Sequence, residues 1–195
     1  MFADRKFAEE LQLSAVNSIN WARVMAQVAY YVAAAVALGG PARKVSFAVP
    51  TGNFGNVYAA HVARAMGLSV ERLVIGTNRN DILNRFLRMG RMTISEVQPS
   101  LSPSMDIQIS SNFERLLWEL KGRDGAAVAT ALAEFRKTGT LPVADREWAA
   151  AKTLFSAHAA SDEETIATIR KWHRATGEVL DPHSAVAVHA AEAAA

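Results

Sequence analysis

The sequence contains no cysteine. This excludes disulfides, thiolate metal sites and cysteine nucleophiles, and it fits a reducing compartment, so the expected location is the cytoplasm. Charge of one sign is not in excess either. The formal net charge is +2 and basic residues are spread along the chain, so the footprint of a nucleic-acid binder is missing. The longest apolar run, residues 28–39, falls short of the roughly 20 residues that cross a bilayer, and Gly39-Gly40-Pro41 ends it. No membrane span is expected. Residues 1–10 alternate charged and apolar groups, without a signal-peptide core or an Arg/Ser-rich transit pattern. The five histidines do not pair with carboxylates at metal-ligand spacing, so no metal site is expected, and no internal repeat is visible.

What the chain does have is apolar content. Half of its 195 residues are hydrophobic, enough to bury a core and form one domain. Residues 19–38 are apolar on nearly every side and read as a core helix, with Asn17 or Ser18 as its cap. Within it Asn20, Arg23, Gln27 and Tyr31 recur at steps of three or four, which aligns them in one polar stripe facing either solvent or a site. Residues 44–50 form a β-rich run, 56–66 a helix stopped by Gly67, and 72–76 a second strand. Such a βαβ unit builds a parallel sheet flanked by helices, so the fold class is α/β. Residues 98–104, with two prolines among serines, read as a loop. Four helices are expected over 112–121, 124–137, 145–155 and 162–175, and the Asp181-Pro182-His183 start opens a last one, making the C-terminal half mostly helical.

The segment Val49-Pro50-Thr51-Gly52-Asn53-Phe54-Gly55-Asn56 stands where a parallel strand ends and a helix begins, the usual ligand position in an open α/β sheet. Gly52 and Gly55 let the backbone take positive φ and approach a bound group, while the first amides of the helix and its dipole face the same point. Amide bonds to a charged group contribute about 1.5–3 kcal/mol each against about 0.3–1 kcal/mol for the dipole, so an anion is held mainly by the amides. The spacing is neither a P-loop nor a dinucleotide fingerprint. From the residues alone, a tight turn without a ligand stays as open as a phosphate cradle.

Six separated strings resemble threonine synthase of the type found in fungi and many bacteria. They are Asn17-Ser18-Ile19-Asn20-Trp21-Ala22-Arg23, the 49–56 segment just quoted, Thr77-Asn78-Arg79-Asn80-Asp81-Ile82-Leu83, Leu101-Ser102-Pro103-Ser104-Met105-Asp106-Ile107, Ser110-Ser111-Asn112-Phe113-Glu114-Arg115 and Asp181-Pro182-His183-Ser184-Ala185-Val186. The resemblance implies a tryptophan-synthase-β-like fold that binds pyridoxal 5'-phosphate (PLP), with residues 1–195 forming part of the catalytic domain. It makes Gly52, Asn53, Phe54, Gly55 and Asn56 the loop around the cofactor phosphate. Many relatives carry an aspartate where Asn56 stands, which affects the side chain but not the backbone donors. The implied reaction is conversion of O-phosphohomoserine and water to L-threonine and phosphate. Arg23, as a bidentate donor, and Asn20 beside it are candidates for binding the substrate's phosphate or carboxylate.

The family's Schiff-base lysine lies before the 17–23 string, where only Lys6 precedes it here, and a Thr-Ala-His-Pro-like segment that meets the pyridine nitrogen would follow Ala195. The chain alone is therefore expected to be inactive, and no catalytic residue is assigned within it. Ser104, Asp106 and Asn112 read as turn or cap residues and His183 as a first-turn helix residue. Two other readings stand beside this one: another PLP enzyme of the same fold, such as a threonine dehydratase, and a non-catalytic anion-binding domain.

Overall fold

The computed structural model describes residues 4–13, 17 and 19–195. A short helix, α1 (Arg5–Glu10), precedes α2 (Trp21–Ala37), β1 (Val45–Pro50), α3 (Gly55–Ala65), β2 (Val70–Thr77), α4 (Ile82–Met89) and β3 (Arg91–Thr93). A 3-10 turn at Pro103–Met105 leads to α5 (Phe113–Leu120), α6 (Gly125–Thr138), β4 (Thr140–Pro142), α7 (Asp145–Lys152), β5 (Phe155–Ala159), α8 (Asp162–Thr176) and α9 (Pro182–Ala194).

The main sheet is parallel in the order β1-β2-β5, with Phe47 opposite Leu73 and Ile75 opposite Ala157. Alternation along β2 divides its side chains between two faces. Leu73 and Ile75 join Val57, Ala60, Phe86 and Phe113 in the main core. On the other face Gly76 lies directly under α9: a Cβ there would come within 3.0 Å of the Val186 carbonyl oxygen and 3.1 Å of the Ala187 Cα. Only a residue without a side chain lets the helix sit that low. A second sheet, antiparallel, pairs Met92 of β3 with Leu141 of β4.

The α/β class and the βαβ unit agree with the sequence reading, and four points differ. The helix expected over 145–155 ends as α7 at Lys152, and its last residue, Phe155, instead begins β5, which runs to Ala159. Ser-Ala-His-Ala has weak strand preference, but the edge of β2 supplies backbone partners for it, and that tertiary pairing overrides local propensity. β3, β4 and α1 are too short to leave a periodic signal. The cap of α2 is Asn20, whose side chain accepts a hydrogen bond from the Ala22 amide at 2.9 Å. Asn17 instead accepts from the Ile19 amide in the preceding turn, and Ser18 lies outside the described residues. Finally, α2 is not buried all round: Val24, Val28, Tyr31 and Ala35 face the core, while Met25, Tyr30, Val32 and Val36 are exposed. A helix lying on one layer can bury only one stripe.

Candidate functional site

The C-terminal end of β1 runs into a turn that is fixed on several sides. Thr51 is buried, its amide donates to the Gly76 carbonyl at 2.8 Å and its hydroxyl to the Val49 carbonyl at 2.8 Å. The Gly52 carbonyl accepts from the Ser110 hydroxyl at 2.7 Å, and the Asn53 carbonyl accepts from the Asn112 amide at 3.0 Å. Gly52 is needed for closeness: a Cβ would meet Ile107 Cδ1 at 3.0 Å, Met105 Cα at 3.1 Å and the Ser104 carbonyl oxygen at 3.2 Å. The expectation of positive φ at Gly52 and Gly55 is corrected. The left-handed residue of the turn is Phe54, at φ 66 and ψ −2, and Gly55 is the first residue of α3. A bulky residue is strained there. Packing holds it, because the Phe54 ring is buried edge-on against Phe113, with centroids 5.5 Å apart, and beside Phe155.

The N-terminus of α3, like those of α4 and α5, has no side-chain cap, and in this it differs from those of α2, α6, α8 and α9. Those four are capped by the side chains of Asn20, Asp124, Ser161 and Asp181. Phe54, at the same position of α3, makes no side-chain cap, so the first amides of the helix are left as donors toward the turn.

These amides open on a cleft of about 310 Å³. Pro50, Thr51 and residues 52–56 form one wall, Arg23, Val24 and Gln27 of α2 a second, Ser104 and Met105 a third, and His183 of α9 completes it. The polar stripe of α2 thus turns inward: Arg23 and Gln27 line the cleft, and the Tyr31 hydroxyl donates to Asn56 Oδ1. Burial of Tyr31 raises its pKa above the ordinary tyrosine value, which keeps it a neutral donor. Asn20 is not among the lining residues; its side chain is engaged in capping α2. Arg23 is the one permanently charged residue in the lining, which contains no carboxylate. The surroundings therefore favour an anion.

Residues read from the sequence as structural also belong here. His183 and Ser104 line the cleft. Asp106 does not, but it organises the loop that carries Ser104. Its Oδ1 accepts from Asn78 Nδ2 at 2.8 Å, Asn80 Nδ2 at 2.9 Å and the Ser100 hydroxyl at 2.6 Å, and its Oδ2 from the Ser100 amide at 3.0 Å. The only sequence signal for this was that the 77–83 and 101–107 strings both stood out; that they meet is a tertiary fact. Among the described residues no cluster of three metal-ligating side chains occurs, and no helix is long and apolar enough to cross a membrane.

No protein-family model matches the sequence. A threonine synthase of Pseudomonas aeruginosa is 55% identical over 190 residues, covering 97% of this chain and 40% of that protein. The chain is homologous to threonine synthases. A crystal structure of PLP-bound threonine synthase from Brucella melitensis superposes on it with a TM-score of 0.96 at 50% identity, covering 100% of this chain and 42% of that one. Threonine synthase from yeast gives a TM-score of 0.91 at 42% identity, with 98% and 40% covered. The chain thus spans about two fifths of the length of the threonine synthases it matches.

Proposed function

We propose that the protein containing this chain is a PLP-dependent threonine synthase, converting O-phosphohomoserine and water to L-threonine and phosphate, and that residues 52–56 hold the cofactor phosphate. The observation that carries the reading is the uncapped start of α3 opening on a cleft whose one fixed charge is Arg23. The residues present fit a phosphate: the cleft offers backbone amides, a guanidinium and neutral polar groups, with no carboxylate to repel it. A cytoplasmic location accompanies this reading, in line with a cysteine-free chain.

When bound, PLP supplies the electron sink for carbanion chemistry at the substrate. The roles of this chain's residues follow from their positions. The amides at the start of α3 bind phosphate oxygens. The Ser110, Asn112 and Gly76 bonds to the turn keep those amides in place without rearrangement on binding. Tyr31 fixes the Asn56 side chain. Arg23 is the donor for a second anionic group, the phosphate or carboxylate of the substrate, and Gln27 beside it orients the same group. The roles of proton carrier and covalent anchor go to a lysine outside this stretch, so residues 1–195 alone are proposed to be inactive.

The test is phosphate release from O-phosphohomoserine by the intact protein with PLP, in parallel with the 195-residue chain. Turnover by the former and none by the latter supports the reading. An intact protein that binds PLP yet dehydrates threonine instead would favour the dehydratase alternative, and one that binds neither PLP nor inorganic phosphate would sink it.

A further inference from the structure

Four buried side-chain atoms among the described residues have no hydrogen-bond partner: His61 Nδ1, Thr77 Oγ1, Ser156 Oγ and His183 Nε2. Only His183 also lines the cleft. Its other ring nitrogen, Nδ1, lies 3.1 Å from Asp181 Oδ1. The Ser184 hydroxyl, 2.5 Å from Asp181 Oδ2, is the largest influence holding that carboxyl below the ordinary aspartate range, helped by the His183 and Ser184 amides. Asp181 is therefore ionised near neutral pH and has no proton to give, so the Asp181–His183 bond requires the hydrogen on Nδ1. The ring is thereby fixed in one tautomer, and Nε2, at its far side, is left as a buried acceptor with no partner among the described residues. A carboxylate that orients a histidine in this way is a recurrent device where the second nitrogen has chemistry to do.

We propose that His183 is a ligand-contacting residue of the cleft, with Asp181 as its positioning residue and Nε2 as the atom that shares a hydrogen with a phosphate-bearing small molecule seated on the 52–56 turn. This deepens the functional reading above and rests on it. The chemistry is matched, since a phosphate ester can carry a hydrogen on one of its oxygens and a bare imidazole nitrogen accepts one. In the cleft lining, His183 carries the one imidazole. The Asp181 carboxylate also steadies any positive charge gained by the ring.

The test uses the intact protein titrated with inorganic phosphate, following the imidazole nitrogens by 15N-histidine NMR and the affinity by calorimetry. Before phosphate is added, His183 should show a protonated Nδ1 and a bare Nε2. Phosphate should move the Nε2 resonance with the midpoint seen by calorimetry. H183N, which keeps a group near the Nδ1 position, should bind phosphate about tenfold more weakly, as expected for a lost hydrogen bond to a charged group. H183Q, whose amide reaches the Nε2 position, should retain most of the affinity. D181N should blur the tautomer preference. Phosphate binding with the imidazole resonances unmoved and H183N unaffected would reduce His183 to a first-turn residue and overturn the proposal. Absence of phosphate binding in the unaltered protein would overturn the cradle reading itself, and this inference with it.

Discussion

Two polar regions lie beyond the C-terminal ends of β1 and β2, and they are built on opposite principles. Around Asp106 the groups satisfy one another: Asn78 and Asn80 are 2% and 3% exposed, and their amides are taken up by Asp106, Ser100, Ser102 and the Gln98 carbonyl. Around the cleft the groups are left open. The start of α3 has no side-chain cap and His183 Nε2 has no partner. A buried network that closes on itself specifies a loop; one that leaves donors facing a cavity is arranged for something else to complete. The contrast explains why Asp106, which looks chemically capable, is assigned to holding the loop, while a turn with no charged side chain is assigned to binding.

The largest expected effect comes from breaking the closed region. Asp106→Ala strands the Asn78 and Asn80 amides and the Ser100 backbone, and should cost about 2–4 kcal/mol in urea unfolding. A loss under about 1 kcal/mol would mean that the network is not the loop's anchor. Next is Gly52→Val, which drives a branched side chain into the Met105 backbone and the Ser104 carbonyl. It should destabilise by about 1–3 kcal/mol and abolish phosphate binding, since the turn must move away from the cleft. Retention of full phosphate affinity in a folded variant would count against the cradle.

Arg23→Ala sharpens the comparison from the open side. Binding of a phosphorylated substrate analogue should weaken about tenfold or more while stability changes by less than about 0.5 kcal/mol, because Arg23 is exposed. An unfolding midpoint that moves as much as the affinity would contradict a binding role.

The smallest effect concerns Tyr31, which bonds Asn56 at the cleft wall from within the core. Tyr31→Phe should cost about 1 kcal/mol. Burial raises its pKa in the folded state above the ordinary 10.0. A raised folded pKa means that the contribution is fully present below the unfolded value and is lost as pH climbs above it. Stability of the unaltered protein should therefore fall above about pH 10, and a stability profile from pH 8 to 11 should be flatter in the phenylalanine variant. Identical slopes in the two proteins would rule out Tyr31 as the alkaline-sensitive group.

What the sequence by itself determined is local and periodic. The β1-α3-β2 unit was legible from two β-rich runs around a helix stopped at Gly67, and the 52–56 turn from its place between strand and helix. The stripe of Arg23, Gln27 and Tyr31 was legible as a stripe, because helical spacing alone aligns those residues. Tertiary structure decided which way it faced: Tyr31 went into the core, Arg23 and Gln27 to the cleft, and Asn20 was spent on capping. Tertiary structure also made β5 a strand, since its backbone partners are on β2 and not within its own segment. It moved the strained backbone from the glycines to Phe54, a position that only the surrounding Phe113 and Phe155 rings can hold. And it brought His183 beside a turn more than a hundred residues earlier in the chain. No periodicity can announce that meeting, because it depends on α9 packing onto the sheet over Gly76, a contact between elements that sequence spacing does not encode.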